Sequence, residues 1–181
     1  MKVISGTLKG RNIEGYNIDG TRPTMDRVKE SLFGMIQDYI KGSIVLDLFA
    51  GSGQLGIEAI SNGAKLCYFI DNNNEVIKTL NKNISNLKIK DNSKIILSDW
   101  KKFLNDSSKN NIKFDLIFID PPYDYDVYEK IMNKINEYNL FSDNGIIVIE
   151  YSKYKLNNNY GNLFLFKERK YGNKYINMYR K

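Results

Sequence analysis

The sequence predicts an α/β protein with a doubly wound, mostly parallel sheet, an antiparallel hairpin at its C-terminus, and an N-terminal hairpin and helix. Three observations support this prediction. Five short runs are nearly continuous in hydrophobicity, as buried parallel strands are. Helix-like segments separate these runs. After residue 151 the pattern changes to two strand-like runs joined by a short polar segment.

The elements follow in chain order. Residues 1–15 are predicted to form a short hairpin, and Pro23-Thr24 begin an amphipathic helix that extends to about Ile40. The central strands are predicted at 44–49, 67–71, 94–98, 114–120 and 145–151. The helices between and after them are predicted at about 54–62, 73–88, 99–106 and 126–137. A terminal hairpin pairs 162–168 with 174–180 through the segment 169–173 and adds antiparallel strands to the sheet.

Length and composition fit one globular domain. The chain has 181 residues, of which 42% are hydrophobic, and a formal net charge of +6. We divide this domain into an N-terminal extension, 1–41, and a core, 42–181. No apolar run is long enough to span a bilayer, and the first residues lack the apolar stretch of a signal peptide. We therefore expect a cytoplasmic protein without membrane contact.

The chain contains no histidine and one cysteine, which excludes several chemistries. Without imidazole there is no Ser-His-Asp or Cys-His catalysis and no His-ligated zinc or iron, and we expect no metal. Cys67 lies within the apolar run LCYFI and is predicted to be a buried core residue. Catalysis must then use carboxylates, hydroxyls, backbone dipoles or a reactive cofactor.

The charge is unevenly distributed along the chain. Residues 1–41 carry seven basic and five acidic side chains, residues 42–151 carry twelve and fifteen, and residues 152–181 carry eight and one. One interpretation is a Lys-rich composition that only favours solubility. The other is a polyanionic partner that meets the basic ends while the acidic middle holds something cationic.

A glycine-rich loop follows the first central strand. Gly51, Gly53 and Gly56 occupy the positions of G-x-G-x-x-G between a strand and a helix, and Asp71 comes twenty residues after Gly51. This pattern predicts a nucleoside-binding unit, in which the acid accepts the ribose hydroxyls. Asp47, four residues before the first glycine, would repel a pyrophosphate. It would instead favour the ammonium of S-adenosylmethionine, a group that NAD lacks.

The segment Asp120-Pro121-Pro122-Tyr123 follows the fourth central strand, at the edge of the sheet where the glycine loop also lies. Two prolines make this turn rigid, so that the Asp120 carboxylate and the Pro121 carbonyl can accept the two hydrogens of an exocyclic amine. Tyr123 can stack on the base that carries the amine. The segment therefore predicts methyl transfer to an amine held in line with a sulfonium methyl.

At this point the residues resemble a known family. The D-P-P-Y segment is similar to that of amino-methyltransferases acting on nucleic acids. Together with R-P-T-M-D-R-V-K-E-S-L-F at 22–33 and LDLFAGSGQLGIEAIS at 46–61, it resembles the RsmD family over essentially the whole chain. The resemblance implies a Rossmann-like class I methyltransferase that uses S-adenosyl-L-methionine. It also implies methylation of the exocyclic N2 of a guanine in small-subunit (16S) ribosomal RNA.

The resemblance also implies roles for individual residues. Asp120, Pro121, Pro122 and Tyr123 would be catalytic. Asp71 would hold the ribose and Asp99 the adenine amine, although both acids also fit simple helix N-caps. Trp100 stands where a small residue is frequent in the family, so it covers the adenine or points elsewhere. The implied cofactor-binding set is Asp47, Ala50, Gly51, Ser52, Gly53, Gly56, Asp71, Asn72, Asp99 and Trp100.

The resemblance implies that the N-terminal extension covers the cofactor cleft and contacts RNA. The implied RNA-binding residues are Lys9, Arg11, Arg22, Thr24 and Arg27. For Arg22 and Arg27 the alternative is that they only flank and cap a helix. No residues remain for a separate domain that grips duplex DNA, which favours RNA with an already exposed base. We expect a monomer that acts on ribosomal RNA, alone or within a small-subunit particle.

Three other functions remain as alternatives. The nearest is an adenine-N6 DNA methyltransferase. A NAD-dependent oxidoreductase would explain the glycine loop but not Asp47 or the D-P-P-Y segment. A non-catalytic RNA-binding module would explain the basic ends but not a cofactor cleft.

Overall fold

The computed structural model describes residues 1–15, 23–122, 125–152 and 155–181, with only the backbone of 23–25 and 125–126. Five α-helices lie in this part of the chain: α1 Pro23–Ile36, α2 Gln54–Ser61, α3 Asn74–Leu87, α4 Trp100–Lys109 and α5 Tyr125–Glu137. The strands there are β1 Ile44–Asp47, β2 Leu66–Asp71, β3 Ser93–Leu97, β4 Phe114–Ile119, β5 Phe141–Tyr151, β6 Asn159–Tyr160, β7 Leu163–Tyr171 and β8 Lys174–Arg180. Short 3-10 turns join several of them.

These eight strands form one sheet in the order β3-β2-β1-β4-β5-β8-β7-β6. The first five strands are parallel, and β8, β7 and β6 are added antiparallel beside β5. The strand order reverses between β1 and β4, where Asp47 pairs with Phe118. In such sheets the crevice for ligands opens at the carboxyl ends of the strands at this reversal. The predicted doubly wound, mostly parallel sheet with a terminal hairpin is confirmed.

Each face of the sheet carries its own apolar core. Helices α1, α2 and α3 cover one face, where alternate strand residues such as Val45, Phe69 and Phe118 are buried. The other face is covered by α4 and α5 and buries the neighbouring strand residues such as Leu46 and Ile117. Because both faces are covered, the strands lack polar alternation, which is why the apolar runs are visible in the sequence. Cys67 is fully buried, as predicted.

The C-terminal hairpin is longer than predicted. β7 continues to Tyr171, which pairs with Lys174, so the turn consists of Gly172 and Asn173 rather than the five residues 169–173. Gly172 has φ 62°, as the first residue of a type II′ turn requires. The tip of this hairpin lies at the carboxyl edge of β5, since β8 runs antiparallel to it.

The N-terminal extension packs on the α2 and α3 side. Its predicted hairpin is present as one antiparallel bridge, between Lys2 and Asn12. The predicted helix ends at Ile36, not at Ile40, and a 3-10 turn over Gln37–Tyr39 follows it. Phe33 of α1 packs on Phe118 with ring centroids 5.9 Å apart. Ser31 of α1 lies near the carboxyl edge of the sheet, because its hydroxyl is 2.6 Å from that of Tyr171 beside the tip of the C-terminal hairpin.

Among the described residues, no helix is long and apolar enough to cross a membrane. The same residues contain no group of three or more acidic or sulfur ligands placed to hold a metal ion.

Candidate active site

The two motifs predicted from the sequence flank the reversal of strand order. The glycine loop leaves β1 after Asp47, and Asp120 follows β4, the strand next to β1. The Leu48 amide donates to the Phe118 carbonyl at 3.2 Å, which holds the start of the loop against β4. Tertiary pairing of non-consecutive strands thus brings together groups about 70 residues apart in the sequence.

The glycine loop is left-handed at two positions. Gly51 has φ 53° and Gly53 has φ 85°, values that side chains other than glycine rarely adopt. A Cβ at Gly51 would meet no atom within 4 Å, so the loop has open space there. A Cβ at Gly53 would lie 2.5 Å from Leu80. Gly51 therefore presents bare backbone to the cleft, whereas Gly53 is needed for the approach of α3.

The third glycine has a packing role. A Cβ at Gly56 would lie 2.3 Å from Phe69 Cε1 and 2.6 Å from Cys67 Sγ, both on β2. Gly56 is buried and allows α2 to lie close on the sheet. Its amide also donates a hydrogen bond to Asp47 Oδ2 at 3.0 Å, which fixes the position of that carboxylate.

Asp47 is a buried carboxylate, 3% exposed. Burial raises the pKa of its carboxyl to about 7; the hydrogen bond from Gly56 opposes this shift and the Asp71 carboxylate adds to it. A cation beside Asp47 would restore its ionised form. Asp47 thus caps the first turn of α2, and its buried carboxylate is a group that a positive charge would stabilise.

Asp71 at the end of β2 holds the glycine loop. Its Oδ2 accepts from the Gly51 amide at 3.1 Å and its Oδ1 accepts from the Asn73 amide at 3.0 Å. The cap of α3 is Asn73, which accepts from the Glu75 amide at 2.9 Å, so Asp71 is not the N-cap residue. Asn72, between them, is exposed.

Two further loop residues from the predicted set are held by hydrogen bonds to their backbone groups. The buried Ala50 donates its amide to the Ile70 carbonyl at 2.9 Å. The Ser52 carbonyl accepts from Asn83 Nδ2 on α3 at 2.9 Å. The loop is therefore fixed by both β2 and α3.

Asp99 is the N-cap of α4. Its Oδ1 accepts from the amides of Lys101 at 2.9 Å and Lys102 at 3.0 Å. The capping alternative raised from the sequence is thus realised, and the exposed residue retains its second oxygen for another donor. Trp100 is the first residue of α4 and packs partly on the core shared by α4 and α5.

The segment after β4 contains the predicted catalytic group. Asp120 is exposed, Pro121 is buried and Pro122 is exposed. Tyr123 lies outside the described residues. Its carboxyl group lies among other charges: partial desolvation and the Glu150 carboxylate raise the pKa of Asp120 to about 7, Lys174 opposes the shift, and Asp47 adds to it.

Sequence reasoning missed the charged neighbours of Asp120. Glu150 near the end of β5 forms an ion pair with Lys174, the first residue of β8. The Tyr128 hydroxyl of α5 donates to the Glu150 carbonyl at 3.1 Å. One signal was available, because Glu150 is the single charge in the apolar run GIIVIEY.

A second missed group anchors the N-terminal extension. Glu58 of α2 is fully buried and accepts from the Ile4 amide at 3.1 Å and the Ser5 amide at 2.7 Å. Lys29 of α1, also buried, lies 3.8 Å from Glu58 and donates to the Lys2 carbonyl at 3.1 Å. This network joins α1, α2 and the first residues of the chain.

The predicted RNA-binding residues fall in different places. Arg27 is exposed near the first turn of α1, Thr24 lies in that turn with only its backbone described, and Arg22 lies outside the described residues. Lys9 is exposed beside residues 6–8, which pack on the last residue of α2. Arg11 donates to the Asn86 carbonyl of α3 at 3.0 Å. Lys9 and Arg11 thus lie toward the amino edge of the sheet, opposite to Asp120.

The fold and the site define the class of protein. The structure of yhhF from Escherichia coli, a protein assigned to the methyltransferases, has a TM-score of 0.89 and 30% identity, covering 100% of this chain and 97% of that chain. With the strand order and the glycine loop, this shows the Rossmann-like fold of class I methyltransferases predicted above.

The chain also matches, over residues 1–180, the family described as Conserved hypothetical protein 95. YlbH of Bacillus subtilis is 37% identical over 100% of this chain and 99% of its own length. Ribosomal RNA small subunit methyltransferase D of Haemophilus influenzae is 36% identical over 86% of this chain and 80% of its own length. The chain belongs to this RsmD family, which confirms the resemblance noted in its sequence.

Proposed function

We propose that this protein is an S-adenosylmethionine-dependent methyltransferase that modifies the exocyclic N2 amine of a guanine in 16S ribosomal RNA. The observation that carries the proposal is the placement of Asp47 with its glycine loop and of Asp120 on adjacent strands, at the reversal of strand order. A site for a cationic nucleoside and an acceptor for an amine would then face one crevice. The family membership and the names of its relatives support the substrate class.

The chain's residues fit S-adenosylmethionine. Gly51 leaves open space for an adjacent ligand, and the buried Asp47 carboxylate is suited to an ammonium group. A dinucleotide would bring a pyrophosphate to the same loop, where Asp47 would repel it. This electrostatic argument disfavours the NAD-dependent alternative.

The nucleoside part would lie along the ends of β2 and β3. Each oxygen of Asp71 receives one backbone amide, and a carboxylate can accept about four hydrogen bonds in all, so acceptor sites remain for ribose hydroxyls. Asp99 uses Oδ1 for its helix and can offer Oδ2 to the adenine amine. Leu97, half exposed at the end of β3, supplies an apolar surface beside these acids.

The residues after β4 would hold the target amine. The Asp120 carboxylate and the Pro121 carbonyl each accept one N–H, which directs the nitrogen lone pair toward the cofactor. Bound S-adenosylmethionine would supply an electrophilic methyl group for the amine nitrogen, and the electrons of the sulfur–carbon bond would remain on sulfur. The methylated nitrogen then gives up one proton, and Asp120 is the nearest proposed acceptor. Tyr123 would stack on the base.

The RNA would approach the carboxyl edge. The exposed Arg169 and Lys170 at the end of β7 lie on this edge, where they can contact phosphates. Arg27 is proposed for the same surface, because it lies one helical turn before Ser31, which contacts Tyr171 of β7. Arg22 and Thr24 are proposed for the same surface. Lys9 and Arg11 could reach only a more distant part of a large RNA, such as one folded within a small-subunit particle.

Methyl-label mapping tests the proposal. Purified protein with labelled S-adenosylmethionine is incubated with unmodified small subunits, with naked 16S RNA, and with unmethylated duplex DNA. Nuclease digestion and mass spectrometry then identify the product. We expect N2-methylguanosine in the RNA and no label in DNA. N6-methyladenine in DNA would replace the proposal with its nearest alternative, and RNA binding without any label would favour a non-catalytic module.

A further inference from the structure

The ion pair between Glu150 and Lys174 lies beside the proposed amine acceptor. The side chain of Glu150 is 19% exposed and that of Lys174 is 42% exposed. Tyr128 donates to the Glu150 carbonyl, which ties the end of β5 to α5. The ion pair and this hydrogen bond together join β5, β8 and α5 at the carboxyl edge of the sheet.

Strand register places Glu150 next to Asp120. The last registered pair between β4 and β5 is Ile119 with Ile149, so the next residues on these parallel strands are Asp120 and Glu150. Parallel strands lie about 4.8 Å apart, and side chains at matching positions point to the same face. The two carboxylates are thus lateral neighbours, with Lys174 on the far side of Glu150.

In this arrangement Lys174 can pair with either of two carboxylates, Glu150 or Asp120. A Lys174 ammonium bound to Glu150 leaves Asp120 free to accept the hydrogens of an amine. If Glu150 were neutral, Lys174 would be attracted to Asp120 instead and would compete with the substrate for its oxygens.

We propose, on the basis of the function proposed above, that Glu150 and Lys174 are positioning residues for the target amine: Glu150 retains Lys174, and their two charges together set how readily Asp120 takes up a proton. Neither residue touches the reacting atoms. Both act through Asp120, which must be ionised to hold the amine and to accept its proton.

The electrostatics of Asp120 agree with this assignment. Desolvation and Glu150 raise the pKa of Asp120 to about 7, and Lys174 lowers it. Two other groups face Asp120: Asp47 of β1 raises its pKa further, and the Tyr128 hydroxyl of α5 stays protonated because burial and the Asp120 charge raise the pKa of this phenol. Removing Glu150 should therefore lower the pKa of Asp120, and removing Lys174 should raise it.

The test compares Glu150→Gln with Lys174→Gln. For each protein, kcat/KM for RNA is measured from pH 5.5 to 8.5, and the Asp120 carboxyl is titrated by 13C NMR in ligand-free protein, its signal identified by its loss in Asp120→Asn. Glu150→Gln should move the acidic limb of the profile about one pH unit lower, and Lys174→Gln about one unit higher. At pH 6 the second change corresponds to a loss of about tenfold.

Two controls separate positioning from structural damage. Lys174→Arg retains the charge and should keep the wild-type profile. Lys181→Gln removes a different ion pair, in which Lys181, just after the end of β8, lies 2.8 Å from Asp143. This variant should shift neither measurement. If both variants shift in the same direction, or neither shifts, the inference is wrong. Failure of the proposed function would instead appear as absent methyl transfer in the wild-type protein, and the NMR titration would then still show whether Glu150 and Lys174 control the protonation of Asp120.

Discussion

The two halves of the crevice are built in different ways. On the side of β1, β2 and β3, the carboxylates of Asp47, Asp71 and Asp99 accept hydrogen bonds from backbone amides. On the side of β4, β5 and β8, the charged groups interact with one another through their side chains. In the proposed function, the first half would be a fixed backbone scaffold for the cofactor. The second half would be a group of interacting charges whose protonation can respond to pH and to the substrate.

The largest effect is expected from replacing Asp120, the central charged residue of the second half. In the proposed function, Asp120→Asn removes the charge that would hold the amine and accept its proton, so kcat/KM for RNA should fall by about 10²–10⁴-fold. Affinity for S-adenosylhomocysteine, measured by calorimetry, should change little, because the first half is intact. A variant with near-normal turnover would show that the segment after β4 is structural.

An intermediate effect is expected from disturbing the packing of α2 on the sheet, which supports the first half. Gly56→Ala places a Cβ against Phe69 and Cys67, so thermal or urea unfolding should show a loss of about 1–3 kcal/mol. The matched control is Gly34→Ala in α1, where a Cβ would meet nothing within 4 Å and helix propensity should add up to about 1 kcal/mol. Equal stability of the two variants would contradict the packing role of Gly56.

The smallest effect sharpens the comparison, because it tests whether the first half also carries a titrating group. The pKa of Asp47 is about 7 without ligand, and a bound ammonium favours its ionised form. Affinity for S-adenosylhomocysteine should therefore rise with pH from 5.5 to 7, by up to about tenfold per unit. Asp47→Asn should abolish this dependence, whereas Asp120→Asn should retain it. A constant Kd over this range in the wild-type protein would exclude Asp47 as the ammonium site.

Local sequence determined much of this protein. The strands β1 to β5 and helices α2 to α5 lie within a few residues of their predicted positions, because both faces of the sheet are covered and leave continuous apolar runs. Asp47, the glycine loop, Asp71 and Asp120 were recognisable because each lies at the carboxyl end of a strand or directly after it, and these ends meet at one edge of a parallel sheet. The boundaries of β5, β7 and α1 were less accurate, since helix and strand ends depend on capping and pairing with distant segments.

Only the tertiary structure decided which distant charges became neighbours. Glu150 and Lys174 meet Asp120 because β8 inserts antiparallel beside β5, and no local pattern encodes that register. The same holds for Glu58 and Lys29, which are buried together by α1 packing on α2, and for Lys9 and Arg11, which the N-terminal hairpin carries toward the opposite edge. Periodicity reports which residues a single element buries. The pairing of charges depends on how separate elements are arranged, and that is determined by packing and strand register across the whole sheet.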